Sequence, residues 1–116
     1  MSTNSIAVVT GAGSGIGKAI TLAFAEQGTT VVAADLDLDA AKRTAEQNAA
    51  IVPMSVDVAD RATVDALRDA VNTEVGVADI LVNAAGWDRT DQFLNASTEF
   101  AEKVVAINYL GPVHMA

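Results

Sequence analysis

Along this chain, short apolar runs alternate with stretches in which apolar residues recur every three or four positions. The first run, Ile6-Ala7-Val8-Val9-Thr10, is β-branched and ends in glycines, the pattern of a strand buried on both faces. Ile16, Ala19, Ile20, Ala23 and Phe24 follow at helical spacing, and Gly28 stands where a helix C-cap belongs. A second strand is expected over Thr29 to Ala34, and Asp37 is placed to cap a polar, Ala-rich helix running to about Asn48. Ile51 to Val56 reads as a third strand. Its Pro53 lacks the N–H that an interior ladder uses, which points to a sheet edge. Val64, Leu67, Val71 and Val75 mark a third helix behind an Asp60 N-cap, Gly76 ends it, and Ile80 to Asn83 forms a fourth strand. Gly86 to Ala96 is polar and loop-like, and a last helix is expected from Ser97 or Thr98 through Phe100, Val104 and Ile107.

Strands and helices alternating at this spacing imply right-handed crossovers and a doubly wound parallel sheet covered on both faces, the α/β class. The chain has 116 residues, 51% of them apolar, which suits one domain with its own core and excludes disorder. The last helical pattern is still running at Ala116, so the chain is expected to be the front part of a longer domain. Asp79 and Asn83 interrupt the most apolar stretch, Val75 to Ala85, and no membrane span is expected. Seven Lys and Arg face fifteen Asp and Glu, a net charge of -8 without any basic run, which argues against nucleic acid as a partner. With no cysteine, disulfides, zinc-thiolate sites and Cys nucleophiles are excluded together. Met1 to Ser5 shows no basic or apolar leader pattern, so a cytoplasmic protein is expected. The aspartates show no D-x-D-x-D spacing, and no metal site is expected. His114, the single histidine, has no Ser or Asp arrangement around it and reads as a surface or packing residue.

The candidate chemistry begins between the first strand and the first helix, in Thr10-Gly11-Ala12-Gly13-Ser14-Gly15-Ile16-Gly17. Glycines here let the backbone approach a ligand closely, and the following helix offers unpaired N–H groups and its positive dipole end to a pyrophosphate. The alternative is a tight turn filled with small residues for packing. A P-loop is excluded, because the position five before Gly17-Lys18 is Ala12 and Ala19 follows. The G-x-G-x-x-G spacing fails as well. What the residues do form is T-G-x-x-x-G-x-G, through Thr10, Gly11, Gly15 and Gly17. Further on, Asp35 ends the second strand, where an acidic residue accepts hydrogen bonds from an adenosine ribose and repels a 2′-phosphate.

With these residues the chain resembles the short-chain dehydrogenase/reductase family over its whole length. Leu81-Val82-Asn83-Ala84-Ala85-Gly86 is similar to the family's L-V-N-N-A-G, departing from it at Ala84, which weakens one supporting hydrogen bond. Asp57-Val58 resembles the family's adenine-contacting pair, and Asn108 stands where the family has the Asn of its catalytic tetrad. The resemblance implies a Rossmann-type fold and an oxidoreductase that moves a hydride between NAD(H) and a secondary alcohol or ketone. It implies cofactor contacts at Gly11, Gly13, Ser14, Gly15, Ile16 and Gly17, at Asp35 and Leu36, at Asp57 and Val58, and at Asn83, Ala84, Ala85 and Gly86. NAD is favoured over NADP, because neither Ser14 nor Leu36 supplies a basic side chain beside Asp35.

The resemblance also shows what the chain lacks. The family's general acid/base is a Tyr four residues before a Lys, beside a Ser; here the single tyrosine is Tyr109 and Val113 stands four residues later. The chain thus carries the cofactor half and, of the tetrad, only Asn108, and by itself is expected to be inactive. Trp87, after Gly86, stands where the family's substrate loop starts, and packing is an equal reading of it. A homodimer or homotetramer is expected, formed through the helix containing Asn108. Two other readings compete: a non-catalytic nucleotide-binding module, and a methyltransferase, against which the Asn83 to Gly86 motif argues.

Overall fold

A computed structural model of the chain describes residues 5–84. Four strands and three helices alternate in it: β1 (Ile6–Thr10), α1 (Gly15–Glu26), β2 (Thr30–Asp35), α2 (Leu38–Ala45), β3 (Ile51–Ser55), α3 (Arg61–Glu74) and β4 (Ile80–Asn83). The strands form one parallel sheet in the order β3-β2-β1-β4. The α/β architecture with a parallel sheet, expected from the alternation, is the one observed, and its strand order is the Rossmann-like one that the resemblance implies. Pro53 lies on β3, which pairs only with β2 among the described residues, so its missing N–H faces no interior ladder.

Period-2 alternation along the strands divides the apolar residues between two cores, one on each face of the sheet. Val8, Val32 and Ala34 pack with Val64, Leu67 and Val71 of α3, together with Val56 and Val58. Their neighbours Val9, Val31 and Ala33 point the other way, onto Ile20, Phe24 and Ala25 of α1 and Ala45 of α2. The central strands are closed on both sides: Ala7, Val9, Val31, Val32, Ala33 and Ala34 have no exposed surface.

Several expectations need correction. The buried line of α1 is Gly17, Thr21 and Ala25, flanked by the expected Ile20 and Phe24, which pack against the core, whereas Ile16 is 77% exposed. Gly17 lies so close to the Gly11 carbonyl that only glycine fits where α1 leaves the loop. The second helix ends at Ala45, short of Asn48, whose side chain instead accepts the Ala50 N–H at 2.9 Å and so favours a turn. The second strand is shifted by one residue, to Thr30–Asp35, and the third stops at Ser55. The Gly28 end of α1 is as expected: the Gly28 N–H reaches Ala25 O and the Thr29 N–H reaches Phe24 O, both at 3.1 Å, a Schellman closure. The expected last helix and the Gly86 to Ala96 loop lie outside the described residues, as do Ala85, Trp87, Asn108 and His114.

After β3 the chain returns through α3 to lay β4 on the far side of β1. The direction of sheet growth reverses between β1 and β4. In open parallel sheets, ligands bind at the carboxyl ends of the strands beside such a reversal. Thr10 and Asn83 are paired at that end, and Asp35 pairs with Ser55 in the same layer.

Candidate functional site

β1 delivers the chain to the glycine loop, and the loop delivers it to the N-terminus of α1. Ser14 is the N-cap in extended conformation, yet its side chain makes no cap hydrogen bond. The other two helices differ: Asp37 accepts from the Ala40 N–H on α2, and Asp60 accepts from the Ala62 N–H on α3. The first turn of α1 also contains no acidic residue. Its leading N–H groups, which no helix can satisfy internally, are thus left without a side-chain cap beside the strand reversal.

Three glycines shape this loop for different reasons. Gly17 meets the Gly11 carbonyl so closely that a Cβ would collide with backbone. A Cβ on Gly13 would stand 2.6 Å from Ala40 Cβ and 2.8 Å from Asp35 Oδ2. At Gly15, whose φ is +57°, a Cβ would meet nothing within 4 Å. The first two make the loop compact; the third opens it to solvent at the head of the helix. An anionic group held by backbone amides needs such a surface.

Asp35 extends from the end of β2 toward the loop. Its Oδ2 accepts the Gly13 N–H at 2.8 Å and its Oδ1 accepts the Asp37 N–H at 2.9 Å. The half-buried carboxylate therefore joins three segments: β2, the glycine loop and the start of α2. Beneath it, the fully buried Thr44 hydroxyl reaches the Ala12 carbonyl at 3.0 Å, and the Ala12 N–H donates to Ala34 O at 3.2 Å. Leu36, 65% exposed, and Ile16 are large apolar side chains left in water on this same side of the fold.

The Asp57 turn is organised separately. Asp57 Oδ1 accepts the Ala59 N–H at 3.0 Å, while the Thr63 hydroxyl accepts the Asp57 N–H at 3.0 Å and lies 2.7 Å from Asp57 O. Val58 is buried in the α3-side core. On β4, Asn83 is exposed and pairs with Thr10 in register, and Ala84, just beyond the strand, packs against the α1-side core. The fold thus gathers the glycine loop, Asp35, Leu36, Asp57 and Asn83 at the carboxyl ends of the strands. Ala85, Gly86 and Asn108 lie outside the described residues. Sequence reasoning missed Thr44 and Thr63. Thr63 carries a local signal, standing at the third helical position behind an Asp cap, where side chains reach back to the cap; Thr44 carries none. Among the described residues, no helix is long and apolar enough to cross a membrane.

This arrangement recurs in proteins of known sequence and structure. Residues 5–116 match the family model described as short chain dehydrogenase. The chain is 42% identical over 110 residues to the probable oxidoreductase EphD of Mycobacterium tuberculosis, covering 91% of this chain and 19% of that protein. It is equally 42% identical over 110 residues to D-threitol dehydrogenase of Mycolicibacterium smegmatis, covering 91% of this chain and 42% of the relative. The 3-ketoacyl-(acyl-carrier-protein) reductase of Brucella melitensis, in a crystal structure complexed with NADH, superposes with a TM-score of 0.89 at 33% identity. That match covers 96% of this chain and 46% of the reductase. The chain spans less than half the length of these relatives. With the strand order, the glycine loop and the family model in agreement, the chain belongs to the short-chain dehydrogenase/reductase family, of which it represents the amino-terminal, nucleotide-binding part.

Proposed function

We propose that the chain is the dinucleotide-binding part of an oxidoreductase that transfers a hydride between NAD(H) and a secondary alcohol or ketone. The observation that carries this reading is the pairing of an uncapped α1 N-terminus with the Asp35 carboxylate, 2.8 Å from the Gly13 amide. The first suits a pyrophosphate and the second an adenosine ribose, and the two stand beyond and at the ends of the adjacent strands β1 and β2. In this reading Gly11, Gly13, Ser14, Gly15, Ile16 and Gly17 cradle the phosphates, and Asp35 and Leu36 flank the ribose. Asp57 and Val58 meet the adenine, and Asn83, Ala84, Ala85 and Gly86 border the nicotinamide side. Asn108 contributes its backbone carbonyl to a proton relay. The cofactor supplies the hydride chemistry, and the Brucella reductase with its NADH lends support by likeness. The donor that protonates the substrate oxygen is proposed to be the family's Tyr, which no residue of this chain provides. A homo-oligomer formed through the segment containing Asn108 is part of the same proposal.

NAD is favoured over NADP because a 2′-phosphate beside Asp35 brings like charges together at a half-buried position. Calorimetric titration of the chain with NAD+ and NADP+ tests this. NAD+ should bind more tightly, and Asp35→Ala should narrow the difference by weakening NAD+ more. Equal affinity of the two cofactors for the parent chain would overturn the assignment of Asp35 to the ribose.

A further inference from the structure

We propose that Thr44 is a positioning residue of the nucleotide site, acting from beneath the glycine loop through the Ala12 carbonyl. This inference rests on the dinucleotide-binding reading above and adds to it a residue on α2. Thr44 is completely buried on α2, and its hydroxyl lies 3.0 Å from Ala12 O and 3.3 Å from Ala40 O. A threonine inside a helix ordinarily turns its hydroxyl back to the carbonyl four residues earlier. That carbonyl, Ala40 O, is already served by the helix ladder, so the single proton is of most use at the shorter contact. Among the described residues no second donor reaches Ala12 O. A buried carbonyl without a donor is costly, which makes the Thr44 hydroxyl the group that sets where Ala12 rests.

The consequence passes to the ligand side of the loop within one residue. Ala12 is anchored on both sides, by its N–H to Ala34 O and by its carbonyl to Thr44. The next residue, Gly13, turns its N–H to Asp35, while Ala40, one turn before Thr44, leaves Gly13 no room for a Cβ. Helix α2 is thus a buttress: Ala40 limits how far the loop can sink, and Thr44 stops it from rising. Lifting Ala12 would break the Gly13–Asp35 bond and change the curvature of the amides leading into α1. Thr44 itself, being fully buried, touches no ligand.

The experiment compares the chain with Thr44→Val, which keeps shape and loses the donor, and Thr44→Ser, which keeps the donor. Each is titrated with NAD+, NADP+ and ADP, and exchange of the Gly13 amide is followed by NMR without ligand. Thr44→Val should bind all three nucleotides about tenfold more weakly, the equivalent of one hydrogen bond, because the defect lies in a loop that all three share. Its Gly13 amide should exchange faster than in the parent, and Thr44→Ser should restore both properties. Should Thr44→Val fail to fold, Thr44→Ala removes the donor without setting an apolar group against the carbonyl and is read in the same way. The proposal is overturned by donor-free variants with parental affinity and parental Gly13 exchange. It is equally overturned by a Thr44→Ser variant as impaired as Thr44→Val. If the parent chain binds none of the nucleotides, the dinucleotide reading fails, and Gly13 exchange in the ligand-free variants still decides whether Thr44 holds the loop.

Discussion

A Cβ placed on Gly17 runs into the carbonyl of Gly11, one backbone against another, with no flexible side chain to yield. Gly17→Ala should therefore cost about 3 kcal/mol of stability, the upper range for overpacking. Gly15→Ala meets open space and pays only for its left-handed backbone, about 1 kcal/mol, yet puts a methyl group where a phosphate is proposed to sit. Urea denaturation alongside NAD+ titration separates the two. Gly17→Ala should lose more stability, while Gly15→Ala should lose affinity out of proportion to its stability; the reverse ranking would refute this account of the loop. The spacing of the glycines was legible in the sequence, whereas the reason for each was not. Gly13 is small because of Ala40 and Asp35, residues made adjacent only by the packing of α2 beside the loop.

At the scale of elements, the caps show what local pattern can and cannot reveal. Asp37 and Asp60 stand before helical periods in the sequence, and each accepts a first-turn amide in the structure. Replacing either by Ala should cost about 1 kcal/mol, and Ser14→Ala only a few tenths, since Ser14 makes no cap bond. Thermal or urea melts of the three variants provide the check, and a Ser14→Ala penalty equal to the aspartates' would mean that α1 is capped after all. Asp35 presented the opposite case. Its place at the end of a strand could be read from the β-branched run before it, but its bond to Gly13 joins residues 22 apart and leaves no periodic trace. The same holds for Thr44 and Ala12, 32 residues apart. Of the helical series on α1, Ile20 and Phe24 do reach the core, whereas Ile16 and Ala23 satisfy the same period and stay exposed, and Gly17, Thr21 and Ala25 fill the buried line. The close approach of α1 to the glycine loop, where Gly17 meets the Gly11 carbonyl, is encoded by no spacing and selects a small residue there.

The whole molecule carries a charge of -8, and the proposed ligand is itself an anion. Recognition by backbone amides and a helix dipole draws on no lysine, so long-range attraction contributes nothing and overall repulsion opposes approach. Raising ionic strength from about 0.01 M to 0.15 M shortens the Debye length from about 30 Å to 8 Å. NADH affinity should therefore hold or rise over that range, as titrations at the two salt concentrations can measure; a steep fall would indicate a cationic contact absent from this account. The reversal of sheet growth at β1 has a further consequence, for the order in which the site comes into being. The loop, Asp35 and α2 are joined by bonds across 22 and 32 residues, whereas the tie between Ile6 and Asp79 that brings β4 against β1 spans 73. Closing the longer loop costs more entropy, and contacts that demand it form late. During folding the chain should therefore assemble the end of its crevice where ribose and phosphates are proposed to bind as a nearly local event and add the wall carrying Asn83 afterwards. A half-built intermediate of this kind already has the glycine loop clamped against Asp35, so nucleotide present during synthesis could engage the protein before the sheet is complete.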